Sequence, residues 1–233
     1  MKLAKDQIQE LYKFTTAHYV EYYDLQTELV DHLANGIERQ WQQNPNLSFE
    51  EAKEREFKKF GVFGFMDVVA EGKKSMGSRY RAIVWGYFKE WWSLPKLIGT
   101  ISAVSIIFIV IRSLPYGGFK LATIGGVFIL LSLLMFYRSF QLKRNIKSIQ
   151  RKWMLQELIY EQSVAVQLFF IPVHFLNLMD ESSFLDTFYG QSGTAVIILV
   201  MLILLHILGY VIPSKAEELL AKTYPEYKFQ EKV

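Results

Sequence analysis

From Thr187 to Ser214 the chain carries no Asp, Glu, Lys or Arg, and the heart of that run, TAVIILVMLILLHILGYVIP, is almost wholly apolar. A bilayer core takes about 20 mostly apolar residues in one helix, with a range of about 17–25. Three further uncharged stretches precede it. Leu97–Ile111 is short, and spans only if Lys96 and Arg112 snorkel to the interfaces. Leu121–Tyr137 and Gln162–Met179 are adequate in length. One such helix can be the core of a soluble domain. Four within about 120 residues leave too little polar sequence to cover them. Composition agrees, with 51% hydrophobic residues and a mean hydropathy of +0.14. There is no cysteine, which excludes disulfides and thiolate metal sites.

The charges that remain gather between these runs. Lys73, Lys74, Arg79, Arg81, Lys89 and Lys96 precede the first. Arg138, Lys143, Arg144, Lys147, Arg151 and Lys152 lie between the second and third, and Lys215, Lys222, Lys228 and Lys232 follow the fourth. The first connecting loop has no charge beyond its flanking Arg112 and Lys120, and the last holds Asp180, Glu181 and Asp186 without a base. Because cytoplasmic loops collect Lys and Arg, the pattern predicts four spans at 96–114, 119–138, 161–179 and 193–213, with both termini cytoplasmic in a bacterial inner membrane. Residues 1–58 hold no apolar run long enough for a signal peptide.

Residues 1–92 differ, with 13 Lys and Arg against 14 Asp and Glu. Three helices are predicted in the first 60 residues. The first covers Lys5–Ala17, with Ile8, Leu11, Tyr12 and Thr15 on one side. The second covers Tyr22–Gln43, with a stripe of Leu25, Leu29, Leu33, Ile37 and Trp41 beside Val30. Asn44-Pro45-Asn46 ends it. Ser48-Phe49-Glu50-Glu51 has the form of a capping box, and Phe49, Ala52, Phe57 and Phe60 are the expected inner face of the third helix. Gly61 stands where a left-handed C-terminal cap is wanted.

Glu28-Leu29-x-Asp31-His32-Leu33, then Ser48-x-Glu50-Glu51-Ala52, then Phe60-Gly61, resembles the HAAS-type signalling domain and the related permease prefix domain. The resemblance covers about residues 5–65. It implies a cytoplasmic three-helix module placed before transmembrane segments, of a kind that accompanies PadR-type regulators or is fused to transporter permeases. That family continues with a polar step where this chain has Val62-Phe63-Gly64-Phe65.

The fold class predicted is all-α. A cytoplasmic helical domain over 1–62 leads to an amphipathic juxtamembrane helix over 63–94. A four-helix transmembrane bundle over 95–213 follows, with a basic connector at 139–160 and a tail at 214–233. Glu28, Asp31 and His32 share a helix face. They read as a partner-binding or structural polar cluster, with a metal or acid–base site as the alternative, which needs at least one more converging ligand. Arg79, Arg81, Trp85, Trp91 and Trp92 mix bases with aromatics. That mixture serves single-stranded nucleic acid in some proteins. Just before a span it marks an interfacial helix, so membrane lipid rather than nucleic acid is the expected contact. Lys143, Arg144, Lys147, Arg151 and Lys152 make the connector a candidate surface for anionic lipid, or for docking the acidic-leaning domain. Within the spans, His174, Asn177 and His206 are the polar groups to explain, read as interhelical hydrogen bonding. Gly125-Gly126 is read as close helix packing. No phosphate-binding loop, zinc-protease motif, nucleophile elbow or intramembrane carboxylate pair is present, so no enzyme and no cofactor are predicted. The function expected is a membrane adaptor or sensor that binds a protein partner through the cytoplasmic domain. An accessory subunit of a transporter or secretion complex is the alternative, and a small transporter acting through the histidines is the third reading.

Overall fold

The structure is a computed structural model, and it describes residues 2–115, 117–146, 151–161 and 184–229. Every regular element among them is helical: α1 (Lys5–Ala17), α2 (Tyr23–Gln43), α3 (Phe49–Lys58), α4 (Met66–Glu90), α5 (Leu94–Ser113), α6 (Gly117–Ile146), α7 (Met154–Glu161), α8 (Phe188–Ser214) and α9 (Ala216–Thr223). Short 3-10 turns cover Phe184–Asp186 and Pro225–Phe229. The chain forms two compact units. The described residues of the first are 2–79, 151–157 and 226–229.

In this first unit the α2 stripe is buried as its spacing predicts, with Leu25, Leu29, Val30, Leu33, Ile37 and Trp41 all in the core. The Trp41 indole donates to the Leu47 carbonyl at 2.9 Å. That bond closes the turn made by Asn44-Pro45-Asn46. Ser48 caps α3: its Oγ accepts from the Glu51 amide at 3.3 Å, and the Ser48 amide donates back to the Glu51 carboxylate at 3.4 Å. Gly61 has φ +80° and Gly64 φ +55°, values that carry little cost only for glycine. At Gly64 a Cβ would stand 2.8 Å from the Phe57 ring, so glycine also lets this turn close onto α3.

The domain is larger than 1–62, because that turn drives Phe65 into the core, edge-on to Phe57 and Phe60. Val68, Val69 and Met76 of α4 pack on the same core, and Met154 enters it from the connector. The expected inner face of α3 packs on the core, with Phe49, Phe57 and Phe60 partly buried against it, but the face holds more than that apolar set. Ala52 is buried, and so are Lys53 and Glu56. Lys53 lies 2.6 Å from both Glu10 and Glu50 and over the rings of Phe14 and Phe49. Glu56 accepts from Gln40 and Lys59, and its side chain fills the space a Cβ on Gly36 would need. Buried charge of this kind persists only when paired.

The second unit holds three helices long and apolar enough to cross a membrane, Leu94–Ser113, Phe119–Arg138 and Phe188–Ser214. Their bounds sit within a few residues of the runs predicted at 96–114, 119–138 and 193–213. The run at 161–179 lies outside the described residues, apart from the end of α7. Phe108 meets Phe188 at 5.5 Å, and Trp91 meets His206 at 5.9 Å. Helices α5 and α8 are therefore antiparallel. Lys120, at the start of α6, pairs with Asp186 just before α8 at 2.6 Å, and Arg138, further along α6, reaches Gly209 near the end of α8. Helices α6 and α8 are therefore parallel. The turn from Ile207 to Val211 is π-helical. Neither Gly125 nor Gly126 approaches another described residue. The close glycine contact is at Gly190, where a Cβ would fall against the Phe184 carbonyl.

Candidate functional site

Glu28, Asp31 and His32 are all exposed on α2. His32 lies against the edge of Phe60, with ring centroids 5.5 Å apart, and borders a shallow open depression completed by Asn35, Glu38, Arg39 and Gln42. No group of three His, Asp or Glu is placed to hold a metal ion among the described residues. His18, the other histidine of this unit, belongs to an aromatic cluster with Phe14, Phe57 and Phe65, and its Nδ1 lies 2.8 Å from the Phe14 carbonyl.

Phe60 joins this polar face to an apolar tip. Along the α3–α4 turn Val62 is 98% exposed, Phe63 68% and Met66 61%. The same turn buries Phe65. One side of the loop therefore builds the core while the other presents bare hydrocarbon. Sequence reading marked the departure at Val62–Phe65 but not its two-sided character, since a four-residue run in a turn has no periodicity to read.

The connector is built differently from the basic helix expected over 139–160. Helix α6 runs on to Ile146, carrying Lys143 and an exposed Arg144. Lys147 lies outside the described residues. Residues 151–153 are not helical, and α7 starts at Met154. Arg151 and Lys152, expected on a surface for lipid or for the domain, are found against the domain. The Tyr23 amide donates to the Lys152 carbonyl at 2.8 Å, and the Met154 amide to Asp24 at 3.4 Å. Lys152 pairs with Glu21 at 2.7 Å and Glu157 at 2.9 Å, while the Tyr22 hydroxyl donates to Glu157 at 3.1 Å. The Arg151 guanidinium covers the Tyr23 ring at 4.2 Å, and Trp153 is held edge-on between Tyr23 and Tyr227. The segment thus satisfies backbone groups at the N-terminus of α2, which lacks a side-chain cap of its own.

This clasp is electrostatically tight. Burial alone would lower the Lys152 ammonium, but the hydrogen bonds and charges of Glu21 and Glu157 hold it well above its ordinary value. Lys152 in turn holds Glu21 below the usual carboxylate range. Burial, reinforced by the Glu157 charge, pushes the Tyr22 phenol up to about 12. On α3, the hydrogen bond from Lys53 lowers Glu10 in the same way.

Arg79 is an exposed residue at the end of the first unit. In the second unit Arg81, Trp85 and Trp92 are exposed and Trp91 is half-buried. Trp85 stacks on Phe88 at 5.3 Å. His206 is exposed, and the contacts it makes with described residues are aromatic, with Trp91 at 5.9 Å and Tyr210 at 5.7 Å. Among the described residues no hydrogen bond of His206 accompanies these contacts. His174 and Asn177 lie outside the described residues. The polar contacts that sequence reading missed in this unit are Lys120 with Asp186 and Arg138 with Gly209. Their signal was present as the flanking charges of the apolar runs. Comparison with protein-family models, with curated proteins and with solved structures finds no match to this chain.

Proposed function

We propose that this protein is a membrane-integral adaptor whose cytoplasmic HAAS-like unit binds a protein partner. The observation that carries the reading is the uncovered surface of that unit. The bare Val62–Phe63–Met66 tip adjoins, through Phe60 and His32, the exposed charges Glu28, Asp31 and Arg39. An apolar centre with a charged rim is the make-up of a protein-binding patch. The clasp supports a coupled role, because the chain returns to this unit at 151–157 between its apolar runs, and again at 226. A change in the membrane segments then has a covalent and ion-paired route to the partner-binding unit.

Four crossings in an inner membrane, with both termini cytoplasmic, complete the proposal. Helices α6 and α8 run in the same direction, so between residues 146 and 184 the chain has to return across the bilayer. Gln162–Met179 is the uncharged run in that interval long enough to do so. The end of the bundle with Lys89, Lys96, Arg138 and Lys215 carries more base than the end with Arg112 and Lys120, where Lys120 is neutralised by Asp186, which supports a cytoplasmic assignment for the former.

The test compares variants in one pull-down from gentle detergent. Val62→Asp with Phe63→Asp alters side chains that the core does not use, and should abolish recovery of the partner that the parent protein retains. His206→Ala should leave recovery unchanged. If the tip variant keeps the partner and the histidine variant loses it at normal abundance, function resides in the membrane unit and the adaptor reading is wrong.

A further inference from the structure

We propose that the corner where α4 turns into α5 is a binding surface for the phosphate headgroups of anionic glycerophospholipid, built from Lys89, Lys96 and Lys215 over aromatic rings. The inference rests on the reading that α5, α6 and α8 cross a bilayer.

The corner is rigid. The Ser93 hydroxyl donates to the Glu90 carbonyl at 2.7 Å where α4 stops, and Pro95 sits in the first turn of α5. The buried Thr100 hydroxyl lies within hydrogen-bond reach of two carbonyls, Lys96 at 3.0 Å and Trp91 at 3.3 Å, and ties the turn to the helix. The rings form two strings. Trp85, Phe88 and Trp92 follow one another along α4 and the turn, and Trp91, His206 and Tyr210 form the second, which reaches α8.

Three ammonium groups each stand over a ring of this corner. Lys89 lies 5.6 Å from the Trp85 ring centroid, Lys96 lies 5.7 Å from Trp91, and Lys215 lies 5.0 Å from Tyr87. A ring face attracts the cation without consuming its hydrogen bonds. Lys96 also meets Glu90 at 3.6 Å, whereas Lys89 and Lys215 have no carboxylate partner among the described residues. Glu217 and Glu218 follow on α9, exposed. With Arg81 and Arg138 counted, bases at this end still outnumber acids. Next to the corner, Leu94, Ile98 and Ile101 expose hydrocarbon along α5.

That order of layers fits a lipid. Apolar side chains meet acyl chains, aromatic rings take the headgroup boundary, and the ammonium groups, two of them without a carboxylate among the described residues, face the phosphates. A zwitterionic headgroup brings its own cation, which competes with the lysines. An anionic headgroup leaves its phosphate for them, so the charge complementarity selects the anionic class. These lysines come from α4, from α5 and from the residue after α8, so lipid held by all three would also bridge these elements of the unit.

The experiment uses the full chain in bilayer nanodiscs of phosphatidylcholine mixed with phosphatidylglycerol, followed by release into the gas phase and counting of retained lipids by native mass spectrometry. The parent protein should retain phosphatidylglycerol well above its share of the mixture. The triple variant Lys89→Gln, Lys96→Gln, Lys215→Gln should lose at least about tenfold of that preference, since each base near a membrane surface contributes on the order of fivefold. The Lys→Arg triple should keep it, and so should Lys222→Gln. Equal retention of both lipids by the parent protein, or an unchanged preference in the glutamine triple, overturns the proposal. So does displacement of the lipid by inorganic phosphate at matched concentration, which would make the surface a general anion site. Flotation of the same protein with phosphatidylcholine vesicles separates this outcome from the larger one: a chain that fails to float was never in the bilayer.

Discussion

The Arg138 guanidinium donates from α6 to the carbonyl of Gly209 on α8, with Nε at 2.9 Å, and its Nη1 holds Gln141 at 3.2 Å. A π-helical turn shifts the pattern of backbone bonding. Gly209 lies within such a turn, Ile207–Val211, so a donor is needed where the helix itself supplies a poorer one. Arg138→Ala should lower the thermal stability of the chain in detergent by about 1.5–3 kcal/mol, the usual worth of a hydrogen bond to a charged group. Gly209→Ala should cost little, because the new Cβ would meet Arg138 at an ordinary 3.6 Å. A variant in which Gly209→Ala is the more damaging of the two would show that the glycine, not the arginine, sets this crossing.

The 151–157 clasp sets what a soluble fragment requires. Residues 1–62 omit Phe65 and Met154, both fully within the core, and should be helical but poorly cooperative on heating. Residues 1–79 should gain thermal stability on addition of a peptide spanning 151–161, read as a rise in melting temperature. In the full chain, Met154→Ala should cost about 2–5 kcal/mol, the range for truncating a buried Met. No peptide effect and no cost for Met154→Ala would mean that the connector lies on the unit without stabilising it.

The pH dependence of the first unit follows from the shifted groups of that clasp and of the Lys53–Glu10 pair. Glu21 and Glu10 are held below their ordinary 4.5. Their contribution is complete above that value and is lost as pH falls through the lower folded values. Lys152 is held above its ordinary 10.5, so its contribution is complete below that value and lost at higher pH. Tyr22 acts in the same alkaline window, because folding raises it from 10.0 to about 12 and the unfolded phenol ionises first. Denaturation midpoints of the full chain should therefore be flat between about pH 5 and pH 10 in these contributions and fall on either side. Glu21→Gln should flatten the acid limb, and an acid limb unchanged in that variant would remove Glu21 from its cause.

What the sequence disclosed was local. The α2 stripe, the Ser48 cap, the left-handed Gly61 and the ends of three apolar helices are each set by residues within a turn or two of one another, and each was legible. Lys152 with Glu21, 131 positions apart, and Lys120 with Asp186, 66 apart, leave no periodicity to detect. The burial of Lys53 and Glu56 was illegible for a related reason. A charge is read as solvent-facing until its partner is known, and Glu10, Gln40 and Gly36 sit on other helices. In the candidate site, Glu28, Asp31 and His32 were found by their shared face, whereas the Val62–Phe63 tip was masked because the same four residues also supply Phe65 to the core.

Glycine separates two kinds of constraint. Gly61 needs its positive φ but has open space around it, so Gly61→Ala should cost about 1–2 kcal/mol from backbone strain alone. Gly190 has an ordinary backbone, but its Cβ would lie against the Phe184 backbone carbonyl, which has no flexible side chain to yield. Gly190→Ala should therefore be the more damaging, displacing the Phe184–Asp186 turn and with it the Lys120–Asp186 pair. Thermal melts of both variants in detergent check the order, and the reverse order would show that the turn before α8 shifts at little cost.

The absence of cysteine turns orientation into a clean measurement, since each introduced thiol is the only one present. Tyr189 is exposed beside the Asp186 end of α8, and Lys222 lies on α9 beyond its other end. On the proposed orientation the corner with Lys89, Lys96 and Lys215 lies in the cytoplasm and the Lys120–Asp186 end lies outside. Tyr189→Cys should react with a membrane-impermeant maleimide in intact cells, and Lys222→Cys only after the membrane is permeabilised. Because α8 is 27 residues long, about 40 Å at the helical rise, the two thiols cannot share one face of a bilayer that α8 crosses. Labelling of Lys222→Cys alone in intact cells would invert the topology and move the amino-terminal unit outside. Labelling of neither before permeabilisation and both after it would show that α8 does not cross, and would remove the membrane anchor from the proposed function.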